Sequence, residues 1–264
     1  ASRSDKLFHI RLAALANLGR FDDLEIELQQ SSVLQEHWRY AFGARAFSAN
    51  RRFAEAESRL NKLVDSIYDD DRKVLAVCQW FEKSGDEPSL CHILEKLSDD
   101  APYETFCAEG LLRYRGATAE LQEIQKWVMK LARAKPIDLK LQNIRIYWSL
   151  LSPNPTEAQL KEWLATSKEH LARAPNELQF RITAGLALLR QNLPIEALSI
   201  LEDRSGTGSL RTSWVRTRTA WGRIFAVALA RNQRTEESID LLNAISAKST
   251  SRAETSSLQQ IFPS

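Results

Sequence analysis

Gly185-Leu-Ala-Leu-Leu-Arg-Gln-Asn-Leu-Pro-Ile-Glu-Ala197-Leu-Ser-Ile-Leu201 decides the fold, because it reads as a helix, a tight turn and a second helix. Small residues at Ala184, Gly185 and Ala197 stand where two antiparallel helices have to approach closely, and Leu188, Leu198 and Leu201 supply the apolar faces. Pro194 falls at the start of the second helix. There its missing N–H costs nothing, since first-turn amides have no partner within the helix.

The same spacing recurs along the chain. Arg181, Ala184, Gly185 and Leu188 are followed by Ala197 and Leu201; Tyr40, Gly43, Ala44 and Phe47 are followed, at the same distances, by Ala56 and Leu60. Val74, Val77, Cys78 and Phe81 lead to Leu90 and Leu94, with Pro102 beyond; Phe8, Arg11, Leu12 and Leu15 lead to Leu24 and Leu28; Gly222, Phe225, Ala226 and Leu229 lead to Ser238 and Leu242.

This register resembles the tetratricopeptide repeat, a helical hairpin of about 34 residues built around close-packed small side chains. Arg181 and Leu188 stand where that family usually carries aromatics. The resemblance implies an all-α fold, a right-handed superhelix (α-solenoid) of about seven antiparallel helix pairs. The repeat domain would span 1–247 and a polar tail 248–264, with a short capping helix as an option in it; the tail's Leu258-Gln-Gln-Ile-Phe262 is expected to cap the open core edge. One hairpin cannot bury its own apolar face, and stacking neighbours makes the core continuous. The residues alone leave open an irregular bundle of antiparallel pairs. Some members of the family hold a partner's C-terminal carboxylate with lysine, asparagine and arginine; the corresponding faces here offer His9, Arg45 and Gln79, so that role is not expected.

Apolar periodicity places helices at about 6–18, 35–49, 53–67, 72–83, 88–98, 103–114, 118–134, 137–151, 156–173, 177–191, 194–203, 211–231 and 235–246, and a further one opens at Asp22 and Asp23. The hairpin turns then fall near 19, 51, 85, 116, 154, 192 and 233. No stretch alternates apolar and polar residues between turn signals in the manner of a strand.

The 44% hydrophobic and 27% charged shares are ordinary for a soluble globular protein, so disorder is not expected. No apolar run reaches the roughly 18 residues that a membrane span needs. Cys78, Cys91 and Cys107 are odd in number and form no C-x-x-C pair, so neither a disulfide framework nor a zinc site is expected, and a reducing, cytoplasmic setting is slightly favoured. The opening Ala-Ser-Arg-Ser suggests a processed or truncated chain.

Enzymatic signals are missing from the sequence. His9, His37, His92 and His170 occur singly, without metal-ligand spacing. No G-x-G-x-x-G, phosphate-binding G-x-x-x-x-G-K-[ST] or G-x-S-x-G motif occurs. The carboxylates Asp69-Asp-Asp71 and Glu236-Glu237 fall at helix starts, where capping explains them. The expectation is a chain that is not an enzyme and carries no cofactor or metal.

Charge is uneven: residues 1–54 carry net +2, 55–110 net −8 and 111–264 net +8. Residues 204–234 hold seven arginines and no acid. Arg211, Trp214, Arg216, Arg218, Trp221 and Arg223 are the candidate partner-binding residues, because arginine interleaved with tryptophan can take an acidic peptide, a phosphate or a nucleic-acid strand. The bland alternative is that Trp214, Trp221 and Phe225 are core with arginines around them. The leading expectation is a protein–protein interaction scaffold binding a partner segment in a superhelical groove. The alternative is RNA or anionic-ligand binding through 204–234, against which the acidic block at 55–110 speaks, since it breaks any continuous positive track.

Overall fold

Leucine, isoleucine, valine and alanine recurring every three to four residues make one apolar stripe per helix. The computed structural model places the described residues in helices joined by turns, with no strand among them. It describes residues 8, 10–15, 18–31, 34–100, 102–202, 219–245 and 251–262. The chain divides into two compact units, residues 1–114 and 115–264.

In the first unit a short helical segment at 10–15 precedes α1 (Phe21–Gln30), α2 (Glu36–Ala49), α3 (Phe53–Ile67), α4 (Asp71–Ser84), α5 (Glu87–Leu97) and α6 (Glu104–Arg115), which ends at the boundary. In the second follow α7 (Leu121–Ala134), α8 (Leu139–Leu150), α9 (Glu157–Arg173), α10 (Leu178–Arg190) and α11 (Pro194–Leu201). Then come α12 (Thr219–Arg231), α13 (Thr235–Ala244) and α14 (Arg252–Ile261). The expected helix at 53–67 is found with those bounds; residues 211–218 of the expected helix 211–231 lie outside the described residues, α14 runs through the stretch read as a polar tail, and the other described helices agree to within a few residues.

Five hairpin turns share one backbone design. Gly19, Arg51, Gly85, Asn192 and Gln233 have φ between 58° and 71°, the left-handed conformation that ends a helix. One residue on, the amides of Arg20, Arg52, Asp86, Leu193 and Arg234 donate back to the carbonyls of Leu15, Phe47, Phe81, Leu188 and Leu229, at 2.9–3.2 Å. Each bond satisfies a carbonyl that the helix end would otherwise strand. The five acceptors are the fourth residues of the recurring spacing, so every one of these turns falls in the same register. The turns near 116 and 154 are built differently; after Ser152-Pro-Asn-Pro155, Thr156 caps α9 by accepting the Gln159 amide at 3.2 Å.

Packing repeats with the turns. Ala44, Cys78 and Ala226 are buried in the first helices, and Leu24, Ala56, Leu90, Ala197 and Ser238 in the second. Leu28, Leu60, Leu94 and Leu201 are buried one turn later, whereas Leu242 of α13 is 46% exposed. Each fully buried leucine contributes roughly 1.5–3 kcal/mol. In the first unit Phe47 and Phe81 are buried, while Trp80 is half-buried, 5.9 Å from Trp38 and 5.0 Å from Phe42 at edge-on angles. Tyr40 is half-buried and its hydroxyl donates to Glu36 at 3.0 Å.

In the second unit α10 pairs with α11 and α12 with α13, while α8, α10 and α12 pack in series. Their shared core holds Ile146, Leu150, Ile182, Leu186, Ile224 and Leu229. A buried amide ties this series together, since Asn143 Nδ2 donates to Thr183 Oγ1 at 3.0 Å. The apolar group expected to cap the array is the end of α14, which packs on α12 and on α7, the first helix of its unit.

Candidate helix-docking site

The six residues singled out by the sequence are only partly described. Arg211, Trp214, Arg216 and Arg218 lie outside the described residues. Trp221 and Arg223 are half-buried on α12, and Trp221 packs against the core of the second unit. Phe225, one helical turn on from Trp221, is 3% exposed. Two arginines of the same acid-free stretch are engaged within the unit. Arg234 grips Glu237 through Nε at 2.5 Å and Nη2 at 2.6 Å and also bonds Glu202. These two carboxylates hold its guanidinium well above its ordinary range. Arg231 donates to the Leu189 carbonyl at 3.1 Å.

In the second unit α14 packs into a seat formed by α7, α8 and α12. Its N-cap is Ser251, whose hydroxyl accepts the Glu254 amide at 3.1 Å. The amide of Arg252 donates to the Ala117 carbonyl at 3.0 Å, and its guanidinium stands 3.6 Å from Glu120. Tyr147 of α8 is buried, with its ring edge-on to Trp148, and its hydroxyl donates to Glu254 at 2.8 Å. Ala253 and Leu258 are buried, with Leu258 part of the core cluster of the unit and Ile261 and Phe262 packed against that cluster. At the far end the Arg231 guanidinium lies 5.0 Å from the centre of the Phe262 ring, a cation–π contact.

Magnitudes rank these contacts. Burying Leu258 contributes roughly 2 kcal/mol, and the Tyr147–Glu254 hydrogen bond about 1 kcal/mol or somewhat more because its acceptor is charged. The Arg252–Glu120 pair contributes little, its side chains being 72% and 66% exposed. A helix this short does not hold its form alone in water. The seat therefore orders α14.

Sequence reasoning missed Tyr147, Glu254 and Arg231 as site residues. The signal for α14 itself was present, because Ser251-Arg-Ala-Glu254 followed by Leu258 has the form of a capping box ahead of an apolar group. The first unit offers a smaller feature, a recess of about 210 Å³ between α4, α5 and α6 lined by Leu75, Cys78, Leu94, Phe106, Gly110 and Tyr114. Leu75 and Phe106 are exposed at its rim.

Among the described residues no three or more His, Cys, Asp and Glu side chains group to hold a metal ion, and no helix is long and apolar enough to cross a membrane. No protein-family model matches the chain, and no curated protein matches it in sequence.

Proposed function

We propose that the chain is a non-catalytic protein–protein interaction scaffold of tetratricopeptide type, an α-solenoid whose packed helical hairpins offer faces to a segment of a partner protein. The observation that carries this reading is the seat of α14. There α14 is held by a side chain of α8 and the backbone of the turn before α7, both remote from it in sequence, and by a side chain of α12. Surfaces that hold a helix by apolar anchors at three- and four-residue spacing, with polar groups fixing its ends, are those that recognise helical segments in general. The shared turn register supports the repeat part of the reading, because stacking hairpins is what gives such units a continuous core.

The test is a titration of the full chain with a panel of labelled helical and extended peptides and with labelled single-stranded RNA, across a salt series. Peptide binding that persists at high salt is expected. RNA binding that falls steeply with salt, with no peptide bound, overturns the scaffold reading and assigns the role to the arginines of 204–234.

A further inference from the structure

Resting on the scaffold reading above, we propose that the recess between α4, α5 and α6 is where a basic segment of a partner protein docks. The segment sets one bulky apolar side chain between Leu75 and Phe106 and places lysine or arginine beside it, against Glu82 and Glu109.

The recess has the size of a side chain. Its volume of about 210 Å³ falls short of the roughly 300–1,000 Å³ of a small-molecule site and suits a single bulky side chain instead. Cys78, Leu90 and Leu94 are buried and form its floor, while Leu75 of α4 and Phe106 of α6 are exposed on either side. Among the described residues no helix covers these two. A lone exposed apolar residue needs no explanation. Two that flank one concave, apolar-floored site form the pocket that a partner's anchor fills.

The floor is set by a close contact. A Cβ on Gly110 would stand 2.7 Å from Leu94 Cδ1, so the missing side chain lets α6 lie low on α5. Leu94 is buried beneath it. The recess is therefore in place before anything binds, which spares a ligand the cost of forming it.

Both walls run from apolar to charged. On α4 Leu75, Gln79 and Glu82 follow one another at helical spacing, and on α6 Phe106, Gly110 and Arg113 do the same. The charged ends meet, where Arg113 Nη1 stands 3.4 Å from Glu82 Oε1 and the Tyr114 hydroxyl donates to Glu82.

Charge selects the partner. Residues 55–110, which hold most of the lining, carry net −8. Among the lining residues the carboxylates Glu82 and Glu109 face a single base, Arg113. The Arg113–Glu82 pair is exposed on both sides and holds weakly, so an incoming guanidinium or ammonium shares Glu82 at little cost. An acidic peptide or a nucleic-acid strand is repelled by this surface, whereas a basic segment is steered to it.

The experiment titrates the full chain with a short fluorescent peptide of lysine, arginine and serine around one central tryptophan. One control peptide has serine at the centre, and another has glutamate in place of every base. The tryptophan peptide is expected to bind, the serine peptide at least about tenfold more weakly, and the charge-reversed peptide not at all. Leu75→Ser and Phe106→Ser alter exposed side chains, so the melting temperature should stay near that of wild type while each weakens the tryptophan peptide about fivefold or more. Glu82→Gln combined with Glu109→Gln keeps the acceptor oxygens and should weaken it several-fold and flatten its salt dependence. Should an apolar variant fail to fold, this glutamine pair decides. Equal binding of the tryptophan and serine peptides, binding of the charge-reversed peptide, or binding untouched by the folded variants overturns the proposal. A concentration-dependent dimer of the chain that disappears in Phe106→Ser overturns it too, by giving the recess to a second copy. Silence from this peptide while members of the wider panel bind sinks the recess alone, whereas silence from every peptide sinks the scaffold reading with it.

Discussion

Gly185 of α10 lies so close to Leu201 of α11 that a Cβ on the glycine would stand 2.8 Å from the leucine Cγ and Cδ2. Leu201 is 1% exposed and has nowhere to move. Gly185→Leu should therefore cost about 2–3 kcal/mol through overpacking, more than the helix propensity it gains. At about 2–4 °C per kcal/mol for a chain of this size, the melting temperature should fall by roughly 5–10 °C. Gly222→Ala is the contrast, because the Cβ there would meet only the half-buried Ile245 side chain, Cδ1 at 2.9 Å and Cγ1 at 3.2 Å. Its propensity gain of about 1 kcal/mol should roughly offset that contact. A thermal melt that shifts equally for both variants would refute the close packing of α10 on α11.

That contact was legible in the sequence because its cause is local: a small residue one turn into a hairpin, an apolar residue four before a left-handed turn, and a leucine on the returning helix. The same logic located the turns at Gly85 and Asn192. The α14 seat was not legible for the opposite reason. Tyr147 and Glu254 carry no common period, and nothing near either one announces the other. The tail composition around 248–257 is polar, and its helix has order because of the surface that receives it. The arginine stretch was conspicuous as composition. Composition alone could not say that Arg234 is committed to Glu237, three residues on in α13, and to Glu202 at the end of α11.

Three histidines make stability depend on pH. His37, His92 and His170 have pKa values lowered first by burial; Lys73, Lys96 and the pair Arg173 and Arg145 lower them further, against the opposing pull of Asp70, Glu57 and Glu169. Their folded values lie below the unfolded value of about 6.5. In the interval between, the unfolded chain binds protons that the folded chain refuses, so stability rises with pH there. The contribution is whole above about pH 6.5 and is lost as pH falls through the folded values. Urea midpoints at pH 7.5 and 5.5 should differ in that direction. His92→Gln, which can still donate to Asn61 Oδ1 as the ring nitrogen at 3.1 Å does in one tautomer, should shrink the difference.

All three cysteines should be inert in the folded chain. Cys78, Cys91 and Cys107 are buried, and burial pushes the Cys78 thiol up to about 12, with Cys107 and Glu82 adding to the effect. The thiolate is the reactive form. Ellman's reagent at pH 7.5 is expected to find no fast thiol in the native protein and all three in denaturant. One thiol titrating within seconds in the native state would contradict the packing at these positions.

Tyr147→Phe isolates the polar contact that fixes α14. The ring stays and the apolar core around it is unchanged, while Glu254 loses the donor now 2.8 Å away. Loss of one such bond is worth about 1 kcal/mol, roughly a fivefold rise in local opening. Hydrogen exchange should quicken by about that factor in α14 and stay constant in α10 and α12. Glu254→Gln retains an acceptor oxygen and should change exchange far less than Glu254→Ala. Combining Tyr147→Phe with Glu254→Ala should then add little to either alone, because both remove the same bond, and the coupling in that cycle should be about 1 kcal/mol. Fully additive effects would mean that the two side chains do not act on each other, and the hold on α14 would then have to come from Leu258 and Phe262.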